Sequence, residues 1–318
     1  MLQIPIRVAG DQWFNQQQVI DLLATAQDCE IELDLGAEGP SLHRLGVVDT
    51  VLAAGIDPAK VSVTNWPNAV ENIPFQRAVL HRVSHFFWHH KLHQTSEKFV
   101  NCTDNIFGLF IGRRTLARCR IFHDVFSQYR NRSFLSLMKH TAPSPWYLNN
   151  FINIESSEPW APDVDQKQFF HWWENPPVDS VDQAEVRDQY RNDCNTNFSL
   201  LKFYNQFDIE IVCETYCYGD AFFPTEKTVR PIAAGKPFVA FAPLRFLERL
   251  KNLGFKTYSD FWDESYDKLE GLARWRAMQT VLESIAQQYN TSWVDHLNSV
   301  AEYNRQHLKD IVNQYQPL

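Results

Sequence analysis

Thr225, Glu226 and Lys227 set a carboxylate beside an ammonium at the expected start of a short helix, between strand-like runs at 209–213 and 237–242. Thr225 is of the type that caps helix N-termini, Pro231 removes an amide donor inside the helix, and Gly235 is suited to end it. Lys227 can bring a mobile positive charge to a diphosphate, and Glu226 can accept hydrogen bonds from ribose or sugar hydroxyls. Helix-start amides favour phosphate oxygens, and open parallel sheets bind polar ligands at the carboxyl ends of their strands. This spacing suits recognition of a phosphate-bearing, hydroxyl-rich donor. A surface ion pair at a helix start is the bland alternative.

Other groups lie near this segment in the expected topology. Glu214 follows the strand at 209–213 and is a candidate polar contact for the donor. Tyr216 and Tyr218 combine a stacking face with a hydroxyl, although ordinary packing at a strand-to-loop transition is the favoured reading, and Glu214 is the better polar candidate. Arg113, Arg114, Arg118 and Arg120 follow another strand-like run ending at Ile111. Arg114, then Arg118, are the candidates to neutralise a leaving diphosphate; a solvated helix face is the alternative. Glu264, Tyr266 and Asp267 are candidates to orient a sugar or to cap the helix whose apolar face begins at Leu269.

The elements that must position these residues read as α/β. Ile4, Ile6 and Val8 alternate, Val19 to Leu23 suit a helix, and Ile31, Leu33 and Leu35 alternate again. A helix around 45–54 and a strand at 61–64 follow, with turns at 36–40 and 55–58. A second start at 105–111 leads into a basic helix over 113–129. The expected organisation is an N-terminal α/β domain over 1–100, a second over 101–285, and a C-terminal helix over 286–318 packing back toward the first. Residues 142–177, with several prolines and His171, Trp172 and Trp173, read as an irregular excursion that lines a cleft or forms a surface loop.

Composition narrows the classes. The chain has 318 residues, enough for two domains on the usual size scale. A net charge of −8 disfavours a general nucleic-acid surface, since backbone binding depends on neutralising phosphates. Six cysteines without a paired CxxC arrangement read as reduced thiols. The opening residues lack a basic segment followed by an apolar run, and no stretch approaches the roughly 20 apolar residues needed to span a bilayer. A cytoplasmic location is therefore expected; the four sequons at Asn101, Asn131, Asn197 and Asn290 carry little weight against it.

Thr225-Glu-Lys227 followed by Arg230-Pro-Ile-Ala-Ala-Gly-Lys-Pro-Phe238 resembles the donor-binding segment of the fucosyltransferase-like GT-B glycosyltransferases, including small viral and bacterial members. The resemblance is strongest over 209–267, with Gly254-Phe-Lys-Thr257 and Phe261-Trp-Asp-Glu-Ser-Tyr-Asp267. The family's Phe-Glu-Asn-Ser sequence is missing; Val212-Cys-Glu-Thr215 stands nearby, a departure that weakens a fucose assignment more than a GT-B one. The resemblance implies two Rossmann-like domains facing across a cleft, a nucleotide-sugar held mainly by the C-terminal one, and an acceptor approaching from the N-terminal side. It assigns hydroxyl contacts to Glu226 and phosphate contacts to Lys227.

Glycosyl transfer needs a base for the acceptor hydroxyl and cations for the departing phosphates. Asp11, Glu38 and His43 fall near strand ends of the first domain, and Glu38, in a glycine-containing turn, is the chosen base; a solvent-exposed turn acid is its alternative. The expectation is a metal-independent, inverting transfer from a GDP- or UDP-sugar to a carbohydrate hydroxyl, needing no cofactor beyond the donor. Two alternatives remain: a non-catalytic carbohydrate-binding or assembly protein, using Trp172 and the histidine-rich segment 81–93, and a metal-dependent GT-A-like enzyme using Asp163 and Asp165. The histidines of 81–93 lack a companion carboxylate pattern and read as an acceptor surface or ordinary structure more readily than as metal ligands.

Overall fold

The computed structural model describes residues 1–9, 12–26, 29–35, 41–64, 66, 72–77, 104–112, 116–137, 177–178, 198–215, 217, 219 and 221–315. Glu38, Arg113, Arg114, Tyr216, Tyr218, Asp11, Asp163, Asp165, Trp172 and the segment 81–93 lie outside these residues, as does the expected domain boundary at 100.

Two parallel sheets carry the α/β architecture. The first contains β1 (Leu2–Pro5), β4 (Ile31–Asp34), β5 (Val61–Thr64) and β6 (Gln76–Arg77), hydrogen-bonded in that order. A short antiparallel pair, β2 (Val8–Ala9) and β3 (Gln12–Trp13), follows β1. Helices α1 (Gln16–Thr25) and α2 (Val47–Ala53) connect the parallel strands. Every step across this sheet runs the same way, so right-handed crossovers put both helices on one face. The side chains agree: Ile31, Leu33, Val61 and Val63 are buried, whereas Glu32, Asp34, Ser62 and Thr64 are only partly covered.

The second sheet has the order β10 (Phe238–Phe241), β9 (Ile209–Cys213), β7 (Phe107–Ile111), β8 (Ser133–Leu137), all parallel. From β7 the chain passes through α3 (Leu116–Tyr129) to β8 on one side; after α4 (Phe198–Leu201) it enters β9 and passes through α5 (Glu226–Ala234) to β10 on the other. This doubly wound order reverses between β7 and β9, and right-handed crossovers then place α3 and α5 on opposite faces. Accordingly every residue of β9 and β10 is buried, the pattern of a sheet covered on both sides.

The C-terminal helices complete both layers. Helix α6 (Phe246–Asn252) follows β10, then α7 (Gly271–Gln288) packs on α3 and α8 (Thr291–Tyr315) on α5. The Arg120 guanidinium lies 5.2 Å from the Trp275 ring centre, and the Gln279 amide donates to Asp124 at 2.6 Å. Buried apolar residues form two clusters, one spanning Ile4 to Phe75 and one spanning Ile106 to Val312. Leu297, Leu308, Ile311 and Val312 of α8 belong to the second cluster.

Gly108 on β7 shows how tightly this sheet is packed. A Cβ there would lie 2.5 Å from Phe207, whose ring is fully buried among Phe110, Phe134 and Tyr204. Gly108→Ala should lower stability by about 1–3 kcal/mol through overpacking. Urea unfolding is the check; an unchanged midpoint would mean that Phe207 does not pack on β7 in this way.

Candidate functional site

The carboxyl ends of β7 and β9 meet where the strand order reverses, and the segment after β9 leads into the start of α5. Thr225 caps that helix in extended conformation (φ −100°, ψ −169°), its hydroxyl accepting from the Lys227 amide at 3.4 Å. Glu226 in the first turn complements the positive end of the helix dipole. Gly235, at φ +66°, ends the helix in the left-handed region where glycine carries no side-chain penalty. The sequence-predicted cap, interior proline and stop thus fall where expected.

Glu214 is the organising group beneath this helix start. Its side chain is completely buried. Oε1 accepts from the Thr225 amide at 3.0 Å and the Thr228 hydroxyl at 2.5 Å. Oε2 accepts from the Thr215 amide at 3.0 Å and the Thr225 hydroxyl at 2.6 Å. Four neutral donors satisfy the carboxylate, which presents no surface to a ligand. Glu214, expected as a donor contact, here has its carboxylate engaged in holding the end of β9 against α5.

Lys227 lies above this network. Its ammonium donates to Thr215 Oγ1 at 3.2 Å, Thr225 Oγ1 at 3.1 Å and Glu226 Oε1 at 2.6 Å. The Lys227 and Glu226 side chains remain 20% and 21% exposed. The acid and base that adjoin in sequence are thus brought together as a partly exposed pair.

Arg118, expected to meet a diphosphate, is buried at 3% exposure, and its guanidinium donates to the Glu214 carbonyl oxygen at 2.7 Å. It ties the first turn of α3 to the end of β9, so here the guanidinium is engaged with protein rather than turned outward. Arg120 is occupied with Asp124, at 3.5 Å, and with Trp275. His43, from the first sheet's side, pairs through Nε2 with the Asn72 carbonyl at 2.8 Å.

Comparison with family models, with curated proteins and with solved structures finds no match. The site therefore stands on its own geometry. Among the described residues, no group of three or more His, Cys, Asp or Glu side chains is placed to hold a metal ion, and no helix is long and apolar enough to cross a membrane. Among the described residues, Cys29, Cys119, Cys213 and Cys217 form no disulfide.

Farther along, Asp267 accepts from the Leu247 and Glu248 amides at 3.0 Å each, capping α6. The expectation that it caps the helix following it is corrected, since α6 precedes it in sequence and folds back to meet it. Glu264 accepts from the Tyr258 amide at 2.8 Å and the Thr257 hydroxyl at 2.5 Å, with Lys251 3.3 Å away. Burial nonetheless pushes its carboxyl above the usual range. Tyr266 is buried and its phenol is pushed up by the same desolvation. These three residues shape the turn around α6 instead of facing solvent.

One polar constellation escaped the sequence reading. Arg230, on the buried face of α5, donates to Glu210 Oε1 at 2.5 Å and to the Tyr204 hydroxyl at 2.6 Å, and Tyr204 donates to the other Glu210 oxygen. All three are at most 3% exposed, and the guanidinium lies 5.2 Å from the Phe110 ring centre. Burial alone would lower the Arg230 pKa, but Glu210 and Tyr204 hold it above its ordinary value, so the cation persists. Burial raises both Glu210 and Tyr204, against the attraction of Arg230. The available signal was Glu210 inside the otherwise apolar run Ile209–Cys213.

Breaking one side of this pair leaves the other charge buried. Arg230→Met should destabilise the fold by about 3–5 kcal/mol, whereas adding Glu210→Gln should recover much of that loss. Chemical denaturation of the single and double variants checks this, and equal losses in both would exclude pair burial as the cause.

Proposed function

We propose that the chain is a GT-B-like glycosyltransferase that takes its sugar from a nucleotide-sugar bound at the carboxyl edge of the second sheet. One observation carries the reading: Lys227 and Glu226 sit partly exposed at the start of α5, which follows β9 at the point where the strand order reverses. The two parallel sheets are consistent with the paired Rossmann-like domains of such enzymes. The resemblance of 209–267 to fucosyltransferase-like sequences points the same way and makes GDP-fucose one candidate donor.

The free-state geometry suggests how a donor engages. The ion pair between adjacent, partly solvated residues contributes little net energy, so phosphate oxygens can replace Glu226 at the Lys227 ammonium. After the exchange the Glu226 carboxylate accepts hydrogen bonds from ribose or sugar hydroxyls. The α5 amides and Lys227 then oppose the negative charge that grows on the diphosphate as it leaves. Arg114 supplies a second cation in this scheme, and Arg118 ties the first turn of α3 to the end of β9. In direct displacement, the acceptor hydroxyl oxygen attacks the anomeric carbon, the bond to the phosphate oxygen breaks, and Glu38 takes the hydroxyl proton. Inversion at the anomeric carbon follows from that single attack.

Incubating the purified chain with nucleotide-sugars and glycan acceptors separates transfer from binding alone. Donor-dependent product is expected, persisting after chelation of divalent ions. Lys227→Ala should lower kcat/KM by about 10²-fold, the scale for losing one preorganised electrostatic contact to the leaving group. Unchanged donor affinity and turnover in that variant would remove Lys227 from the mechanism, and absence of product across the panel would favour a binding role.

A further inference from the structure

We infer that Glu214 is a positioning residue for phosphate binding: it never meets the ligand, and it presets the Lys227 ammonium through Thr215 and Thr225. This rests on the reading of Lys227 as the phosphate-contacting cation.

The argument is one of proton accounting. An ionised carboxylate only accepts hydrogen bonds, whereas a threonine hydroxyl has one proton to donate and two lone pairs to offer. The Thr225 hydroxyl commits its proton to Glu214 Oε2 at 2.6 Å, which leaves its lone pairs for the Lys227 amide at 3.4 Å and ammonium at 3.1 Å. Thr215 is held through its amide on the same carboxylate oxygen, and its hydroxyl oxygen accepts from the ammonium at 3.2 Å. Glu214 thus fixes two of the three acceptors that place Lys227, without touching Lys227 itself. Because its own partners are amides and hydroxyls, it orders the site without competing for the cation.

The network also requires a carboxylate and not an amide. One oxygen accepts from the Thr215 amide and the other from the Thr225 amide. Whichever way a glutamine were turned, its NH2 group would face a backbone N–H, donor against donor. Glu214→Gln, though nearly the same size, must therefore break one anchor and release the order imposed on Thr215 and Thr225. Thr215→Val is the gentler probe, since it keeps the amide anchor and removes one acceptor of the ammonium.

Affinity for inorganic pyrophosphate and for GDP, measured by calorimetry on folded protein, tests this through a double-mutant cycle. Lys227→Ala should weaken both ligands substantially. Glu214→Gln should weaken them about tenfold, the scale of one hydrogen bond to a charged group, and Thr215→Val by a smaller factor. In the Lys227→Ala background, neither second substitution should weaken binding further, because each acts through the missing ammonium. If Glu214→Gln does not fold, Thr215→Val carries the same cycle. Losses that multiply, or Thr215→Val and Glu214→Gln proteins that bind as the parent does while Lys227→Ala is impaired, would overturn the positioning role and leave the donor site standing. Unaltered binding in Lys227→Ala would instead overturn the donor-site reading and this inference with it.

Discussion

A carboxylate with no exposure to water must find its hydrogen bonds inside the protein, and Glu214 finds all of them in the segment it then organises. Transfer of such a charge out of water is costly unless each oxygen is satisfied. Here the satisfaction comes from two backbone amides and two threonine hydroxyls. The end of β9, the cap of α5 and its first turn are consequently one unit. Had a lysine or arginine side chain paired with that carboxylate, the start of α5 would have lost a charge to its own interior. Neutral donors avoid this, and the Lys227 side chain stays partly exposed.

The position of α5 is imposed from outside the helix more than from within. Pro231 has no N–H to offer the Lys227 carbonyl one turn back, so the first turn lacks part of its internal support. Three tertiary contacts compensate. Glu214 grips the N-terminus, Arg230 anchors the middle to Glu210 and Tyr204, and α8 covers the far side. The same C-terminal helix fastens the loop after α6, where the Asn304 amide exchanges two 2.8 Å hydrogen bonds with the Lys256 backbone and His307 pairs with the Leu253 carbonyl at 2.7 Å. Polar anchors of this kind specify one arrangement, since apolar packing tolerates small shifts that would leave a buried charge unpaired.

Much of this scaffold was legible along the chain because it depends on local rules. Alternating Ile31, Leu33 and Val61, Val63 announced half-buried strands, and the unbroken apolar run at 107–111 announced a strand covered on both faces. Thr225 and Gly235 marked the limits of α5 through capping and left-handed backbone preference. Direction was not legible. Glu214 and Arg118 stand at positions where a side chain can turn toward a ligand or back into the protein, and only the placement of Thr225, Thr228 and the neighbouring loop decides. Asp267 illustrates the same limit, because the amides it caps are about twenty residues earlier and come near only through the fold. Arg230 reads as a surface residue of a short helix until Glu210 is seen beneath it.

With Arg118 drawn inward, the charge balance at the crevice falls to fewer groups. Its guanidinium reaches the Glu214 carbonyl, so its contribution to an anion outside is a field through protein and not a contact. Lys227 is then the described cation whose ammonium adjoins the helix start, and its adjacent carboxylate cancels much of that field in the absence of ligand. Under the proposed reading, such a site would attract anions weakly at a distance and more strongly at contact, where phosphate oxygens take the place of Glu226. Discrimination then follows from the exchange itself. On that reading a bare phosphate would engage the ammonium alone, whereas a ligand that joins phosphate to a polyol would engage both Lys227 and Glu226.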